Sequence, residues 1–178
     1  METVILTGPK HSGRTSAGKA FASLCSCGFI DIDELILQKT GKTPRQLFSE
    51  GPAVFQKAET EVAAALFGAN TEGRRVIATG GGIIDNAEAV ALLKQSGTIA
   101  IYLNISAESA WERITNAPDG ELPPFLRTEN PRETHRTLHE RRAAAYLQFA
   151  DIVIEAEGKT PEEVAQEIWK SLLTSESN

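Results

Sequence analysis

Residues 6–16, LTGPKHSGRTS, hold Gly8, Gly13 and Thr15 at the spacing of a phosphate-binding loop, G-x-x-x-x-G-K-[ST]. In such a loop backbone N–H groups wrap phosphate oxygens, and the following helix adds the positive end of its dipole. Gly8 permits the tight turn, Gly13 allows close backbone approach, and the Thr15 hydroxyl is a candidate ligand for Mg2+. Arg14 stands where the pattern has lysine. It keeps the charge, and its planar fork can make two hydrogen bonds to phosphate. Its bulk demands some rearrangement. Lys10 and His11 add positive potential, and Ser12 and Ser16 complete the candidate nucleotide set. The alternative is a strand–helix turn without a ligand.

Asp31 and Asp33 bracket one residue at the end of the run GFIDID. Extended spacing would turn both carboxylates to one side. One could orient Mg2+ through water while the other accepts a proton from an attacking hydroxyl. Helix capping by either acid competes with that reading. Gly80, Gly81 and Gly82 follow the run RVIAT. Three glycines cost chain entropy and make sense where a substrate lies against bare backbone, or where a hinge is needed.

These residues need a scaffold that brings them to one place. TVILT (3–7), GFIDID (28–33), RVIATGGG (75–82), TIAIYL (98–103) and DIVIE (151–155) read as strands. Helices are expected at 13–25, from the Thr43-Pro44-Arg45-Gln46 capping box, and at 53–67 and 86–95. Others should run from Ser106 to 115, from Asn130 to 149, and from Thr160, with Val164, Ala165, Ile168, Trp169 and Leu172 as one apolar stripe. Strands alternate with helices and are continuously apolar, which predicts an α/β fold with a parallel sheet covered on both faces. Right-handed crossovers then deliver every strand end to one edge, where open α/β sheets bind ligands. Residues 116–131 are polar, proline-rich and helix-poor, as expected of a lid.

The 178 residues suit one domain, taken as 1–173, with 174–178 as a disordered tail. A net charge of −6 argues against nucleic-acid and membrane-surface partners. No apolar run approaches the roughly 20 residues of a membrane helix. The start METVILTG is unlike a signal peptide. Cys25 and Cys27 are too close for a disulfide framework, so a reduced, cytoplasmic protein is expected. They read as packing residues at a helix end. His135 and His139 lie i, i+4 without a third metal ligand, and with Leu138, Arg142 and Tyr146 they read as a site-facing wall.

The phosphate loop, FIDIDELI, VIATGGGII, IYLNISAE and ERRAAAYLQFADIVIE stand in an order and spacing that resemble shikimate kinase from residue 3 to about 172. The resemblance implies a three-layer P-loop kinase fold of the nucleoside-monophosphate-kinase type. Its five-stranded parallel sheet has order 2-3-1-4-5, with helices on both faces and a lid segment. It implies transfer of the γ-phosphoryl of ATP to the 3-hydroxyl of shikimate with Mg2+, by a monomer. It places Gly8 to Thr15 on ATP and Thr15 and Asp31 at the metal. Arg14 and Asp33 become catalytic. Asp33, Gly80, Gly81, Gly82 and Arg142 fall on the substrate, with Glu59 as an acid behind the pocket. Arg113 and Lys159 fall on the nucleotide side.

Three positions depart from the family pattern. Arg14 replaces lysine. Gln56 replaces an arginine for the substrate carboxylate and is the expected substrate contact there. Pro123 replaces a lid arginine, with Arg127 nearby as its substitute. These losses keep two other readings open, a catalytically weak nucleotide-binding or regulatory paralogue and a kinase of a related hydroxylated acid such as gluconate.

Overall fold

The computed structural model describes residues 3–68, 73–117 and 122–175. The elements run β1 (Thr3–Thr7), α1 (Arg14–Leu24), β2 (Gly28–Asp31), α2 (Ile32–Thr40), α3 (Pro44–Glu50), α4 (Pro52–Gly68), β3 (Arg75–Ala78), α5 (Ala87–Leu93), β4 (Thr98–Asn104), α6 (Ala107–Thr115), α7 (Pro131–Phe149), β5 (Ile152–Glu155) and α8 (Pro161–Ser175). Short 3-10 turns occupy Ile83–Asp85 and Pro124–Leu126.

All strand pairs are parallel, in the expected order β2-β3-β1-β4-β5. β1 lies at the centre, with Ile5 opposite Ile77 on one side and Ala100 on the other. Side chains of a strand alternate between faces. Val4 and Leu6 accordingly join Ala17 and Phe21 of α1, Ala110 of α6, and Val164, Ile168 and Leu172 of α8. Ile5 joins Ile32 and Ile36 of α2, Val62 of α4, Leu93 of α5 and Phe149 of α7. This is the three-layer packing that continuous apolar strands require. Cys25 and Cys27 pack against the first of these clusters as free thiols. No helix among the described residues is long and apolar enough to cross a membrane.

Four local expectations change. β2 stops at Asp31 rather than Asp33, because a helix begins there that the sequence reading did not include. Asp31 caps α2 by accepting from the Asp33 amide at 2.9 Å. Asp33 and Glu34 then occupy its first turn, where the helix dipole favours acids. β3 ends before the glycines. Asn130 occupies the cap position of α7, but its side chain makes no capping bond and Pro131 starts the helix instead. Finally, α8 continues into the expected tail, through Ser175, with Leu172 buried and Thr174 Oγ1 bonded to the Ser171 carbonyl at 2.8 Å. Residues 176–178, and 118–121 of the expected lid, lie outside the described residues. Trp169, on the apolar stripe of α8, is 38% exposed.

The capping box expected at α3 forms, and α8 has one as well. Thr43 Oγ1 accepts from the Gln46 amide and Gln46 Oε1 from the Thr43 amide, with Pro44 leading α3. Thr160 and Glu163 repeat the exchange at α8.

Candidate active site

Gly8 leaves β1 at φ +146°, and a Cβ there would stand 2.6 Å from the Leu103 carbonyl oxygen. The loop can therefore pass over the end of β4 only as glycine. Gly13, left-handed at φ 90°, begins α1 without a side-chain cap. The first-turn N–H groups of α1 have no intrahelical partner and are available to an anion. Arg14 Nη1 donates to the Gly8 and Pro9 carbonyls, the latter at 2.7 Å. The guanidinium thus folds back across the loop as an internal clamp. Burial lowers its pKa, and Tyr146 and the carboxylates of Asp33 and Asp31 oppose that. Arg113 Nη1 donates to the His11 carbonyl at 2.9 Å, so it braces the loop from α6.

The two aspartates divide the work that sequence left undecided. Asp31 Oδ2 accepts from the Thr15 hydroxyl at 2.7 Å while Oδ1 caps α2. Asp33 turns into a cavity of about 170 Å³, and its buried Oδ1 has no hydrogen-bond partner among the described residues. Burial raises the Asp33 pKa. Arg14 and Lys10 pull it down, and Asp31 adds to the rise.

The glycine run is the floor of this cavity and also a packing device. A Cβ on Gly80 would meet Asp33 Oδ1 at 2.9 Å, one on Gly81 the Lys10 amide at 3.0 Å, and one on Gly82 Arg142 Nη2 at 3.5 Å. Bare backbone lets acid, loop and arginine converge. Tyr146, stacked on Tyr102, donates to the Gly81 carbonyl and fixes that floor.

Lys10, Arg14, Arg45 and Arg142 line the cavity together with Asp33, and its apolar walls include Phe48, Phe55 and Phe125. Phe48 meets Phe55 and Phe125 edge-on at 6.4 and 6.2 Å. Pro123 also lines it, in the place of the expected lid arginine. Arg142 lies over Phe125 at 5.7 Å and donates through Nε and Nη2 to Asp85 Oδ2 at 2.9 and 2.7 Å. Arg141 holds the same carboxylate. Burial alone would raise the Asp85 pKa, but these hydrogen bonds and charges win and lower it.

Not every expected residue arrives. Gln56 is absent from the cavity. It is exposed, reaches the Asp85 carbonyl at 3.5 Å, and faces a separate depression with Lys57 and Thr60. Lys159, expected on the nucleotide side rather than in this cavity, is paired with Glu167 at 2.7 Å beside α8. Arg127 is exposed past the 3-10 turn and does not line the cavity. His135 and His139 do form a wall, beside Trp111 and the Ile105 carbonyl respectively. Among the described residues, no group of three or more His, Cys, Asp or Glu could hold a metal ion. The sequence reading missed Arg45, Phe48, Phe125 and Asp85. Only Arg45 carried a signal, as the residue after proline in a capped first turn.

Glu59, 1% exposed on α4, accepts from Asn86 Nδ2 at 3.1 Å through Oε2, and its Oε1 has no partner among the described residues. Burial lifts its pKa to about 7. The Asn86 bond opposes this, Asp33 adds to it, Arg142 counters and Asp85 adds again. The unfolded chain releases this proton near 4.5, so between there and about 7 the folded state binds more protons. Stability therefore falls as pH rises through that window and levels off above it. We expect Glu59→Gln to remove this loss, gaining up to about 3 kcal/mol at pH 8 and almost nothing at pH 4. Urea denaturation of both proteins at the two pH values checks it; an equal difference at both would refute the assignment.

A phosphate loop at the edge of a 2-3-1-4-5 parallel sheet, opening on a cation-rimmed cavity with a half-buried carboxylate, defines a P-loop small-molecule kinase. The shikimate kinase family model matches residues 10–173. The chain is 36% identical over 171 residues to a shikimate kinase of Thermodesulfovibrio yellowstonii, covering 96% of this chain and 94% of that one. It is 34% identical to one of Caldanaerobacter subterraneus, covering 97% of each. Shikimate kinase from Acinetobacter baumannii, solved in complex with shikimate, superposes with a TM-score of 0.87 at 32% identity, covering 98% and 94%. The chain belongs to the shikimate kinase family.

Proposed function

We propose that this protein transfers the γ-phosphoryl of ATP to the 3-hydroxyl of shikimate in the cytoplasm, acting as a monomer. The observation that carries the reading is Asp33, which lines a cavity rimmed by cations beside the phosphate loop and keeps one carboxyl oxygen without a partner among the described residues. The ring of the substrate lies on Gly80–Gly82, its hydroxyl at Asp33 and its carboxylate toward Arg142. Asp33 orients the hydroxyl and takes its proton, a role suited to a carboxylate whose pKa burial has raised. The loop amides and Arg14 hold the triphosphate, and transfer needs little beyond positioning and charge stabilisation.

Thr15 and Asp31 fit Mg2+, because they offer a hydroxyl and a carboxylate oxygen within 2.7 Å of each other. Mg2+ favours hard oxygen donors and keeps waters and phosphate oxygens as its remaining ligands. Bound there with ATP, it would neutralise phosphate charge as the bond to the leaving group breaks.

The test is ADP release from MgATP with and without shikimate, using a coupled assay. Release that requires shikimate is expected. Stabilisation by ADP with no turnover of any hydroxylated acid would make this a nucleotide-binding module. Turnover of another acid in preference to shikimate would overturn the substrate.

A further inference from the structure

The cavity has a cation that the family pattern does not predict and lacks one that it does. Gln56 holds the position of the expected carboxylate-binding arginine, yet it is uncharged and turned out of the cavity. Arg142 remains, but two of its donors are spent on Asp85, an anion that burial fails to neutralise. Asp85, Arg141 and Arg142 together carry one net positive charge. An incoming carboxylate thus meets an arginine already shared with an internal competitor.

We propose that Arg45 replaces the missing cation and binds the substrate carboxylate together with Arg142. The inference rests on the shikimate kinase reading. Arg45 lines the same cavity from α3, beside Pro44 and Phe48. Phe125 touches Phe48 of α3 and lies under the Arg142 guanidinium, so the walls carrying the two arginines meet at one ring. The location is also electrostatically costly. A cation in the first turn of a helix opposes the macrodipole, and α3 has no acid in that turn to offset it. An anion in the cavity that Arg45 lines would offset that cost. The planar fork of arginine suits a carboxylate.

The test compares shikimate with its methyl ester, which keeps the hydroxyls and loses the charge, on wild type, Arg45→Ala and Arg45→Lys. Arg45→Ala should raise KM for shikimate about 10- to 100-fold, the loss expected for a charged hydrogen-bonded partner. KM for ATP should move far less. The wild-type preference for acid over ester should shrink by the same factor, and Arg45→Lys should recover part of it. A folding defect would weaken acid and ester alike and leave their ratio unmoved; that result, or an unchanged shikimate KM, overturns the role of Arg45 while leaving the kinase intact. Wild type that releases no ADP with shikimate overturns both.

Discussion

Asp33→Asn lowers kcat by about 10²- to 10⁴-fold, the range for loss of a positioned general base. Asparagine preserves shape and hydrogen bonding but cannot take the hydroxyl proton. KM for ATP should change little, because the loop and α1 are untouched. Stability should rise in the same variant. The raised pKa means that ionised Asp33 costs folding free energy above its unfolded pKa, so a neutral isostere removes a penalty. More stability with less turnover is a signature that a general folding defect cannot imitate. Wild-type kcat/KM should also fall on acidification along a limb lying above the ordinary carboxylate range. Turnover within fivefold of wild type would show that Asp33 is not the base.

Arg14→Ala should cost about 10³-fold in kcat/KM, between the loss of one aimed donor and that of a transition-state arginine. Two effects combine. The cation at the loop disappears, and the Gly8 and Pro9 carbonyls lose the donor that closes the loop over itself. With Arg14 gone, Asp33 also loses the charge that most opposes its pKa rise, so the acid limb should move to higher pH. Arg14→Lys tests the motif itself. Lysine restores the usual pattern and reaches the same carbonyls with a compact ammonium, so activity should stay within about tenfold of wild type in either direction. Assays at saturating ATP, with pH profiles for all three proteins, decide the matter. If Arg14→Ala keeps its rate and its profile, the guanidinium is only a brace.

Much of this was legible because it is local or periodic. Gly8, Gly13 and Thr15 carry their meaning in their spacing, and the apolar strands could only be covered on both faces. The failures share a cause: sequence places a residue on an element but does not aim it. Gln56 aligns with a substrate contact, yet the turn of α4 sends it outward toward Asp85. The Arg142–Asp85 pair joins α7 to the turn after the glycines, a contact set by tertiary packing alone. Asp33 lines the cavity from the first turn of α2 and not from a strand. The capping alternative at Asp31 pointed to that helix, and the glycine at 41 marks its end.

The box formed by Thr43 and Gln46 has a consequence for residue 45. It secures the opening turn of α3 through backbone amides and the two flanking side chains, and asks nothing of residue 45. That site can change its chemistry while its mount stays still. A substitution at residue 45 therefore leaves the helix start in place while altering what the cavity wall presents.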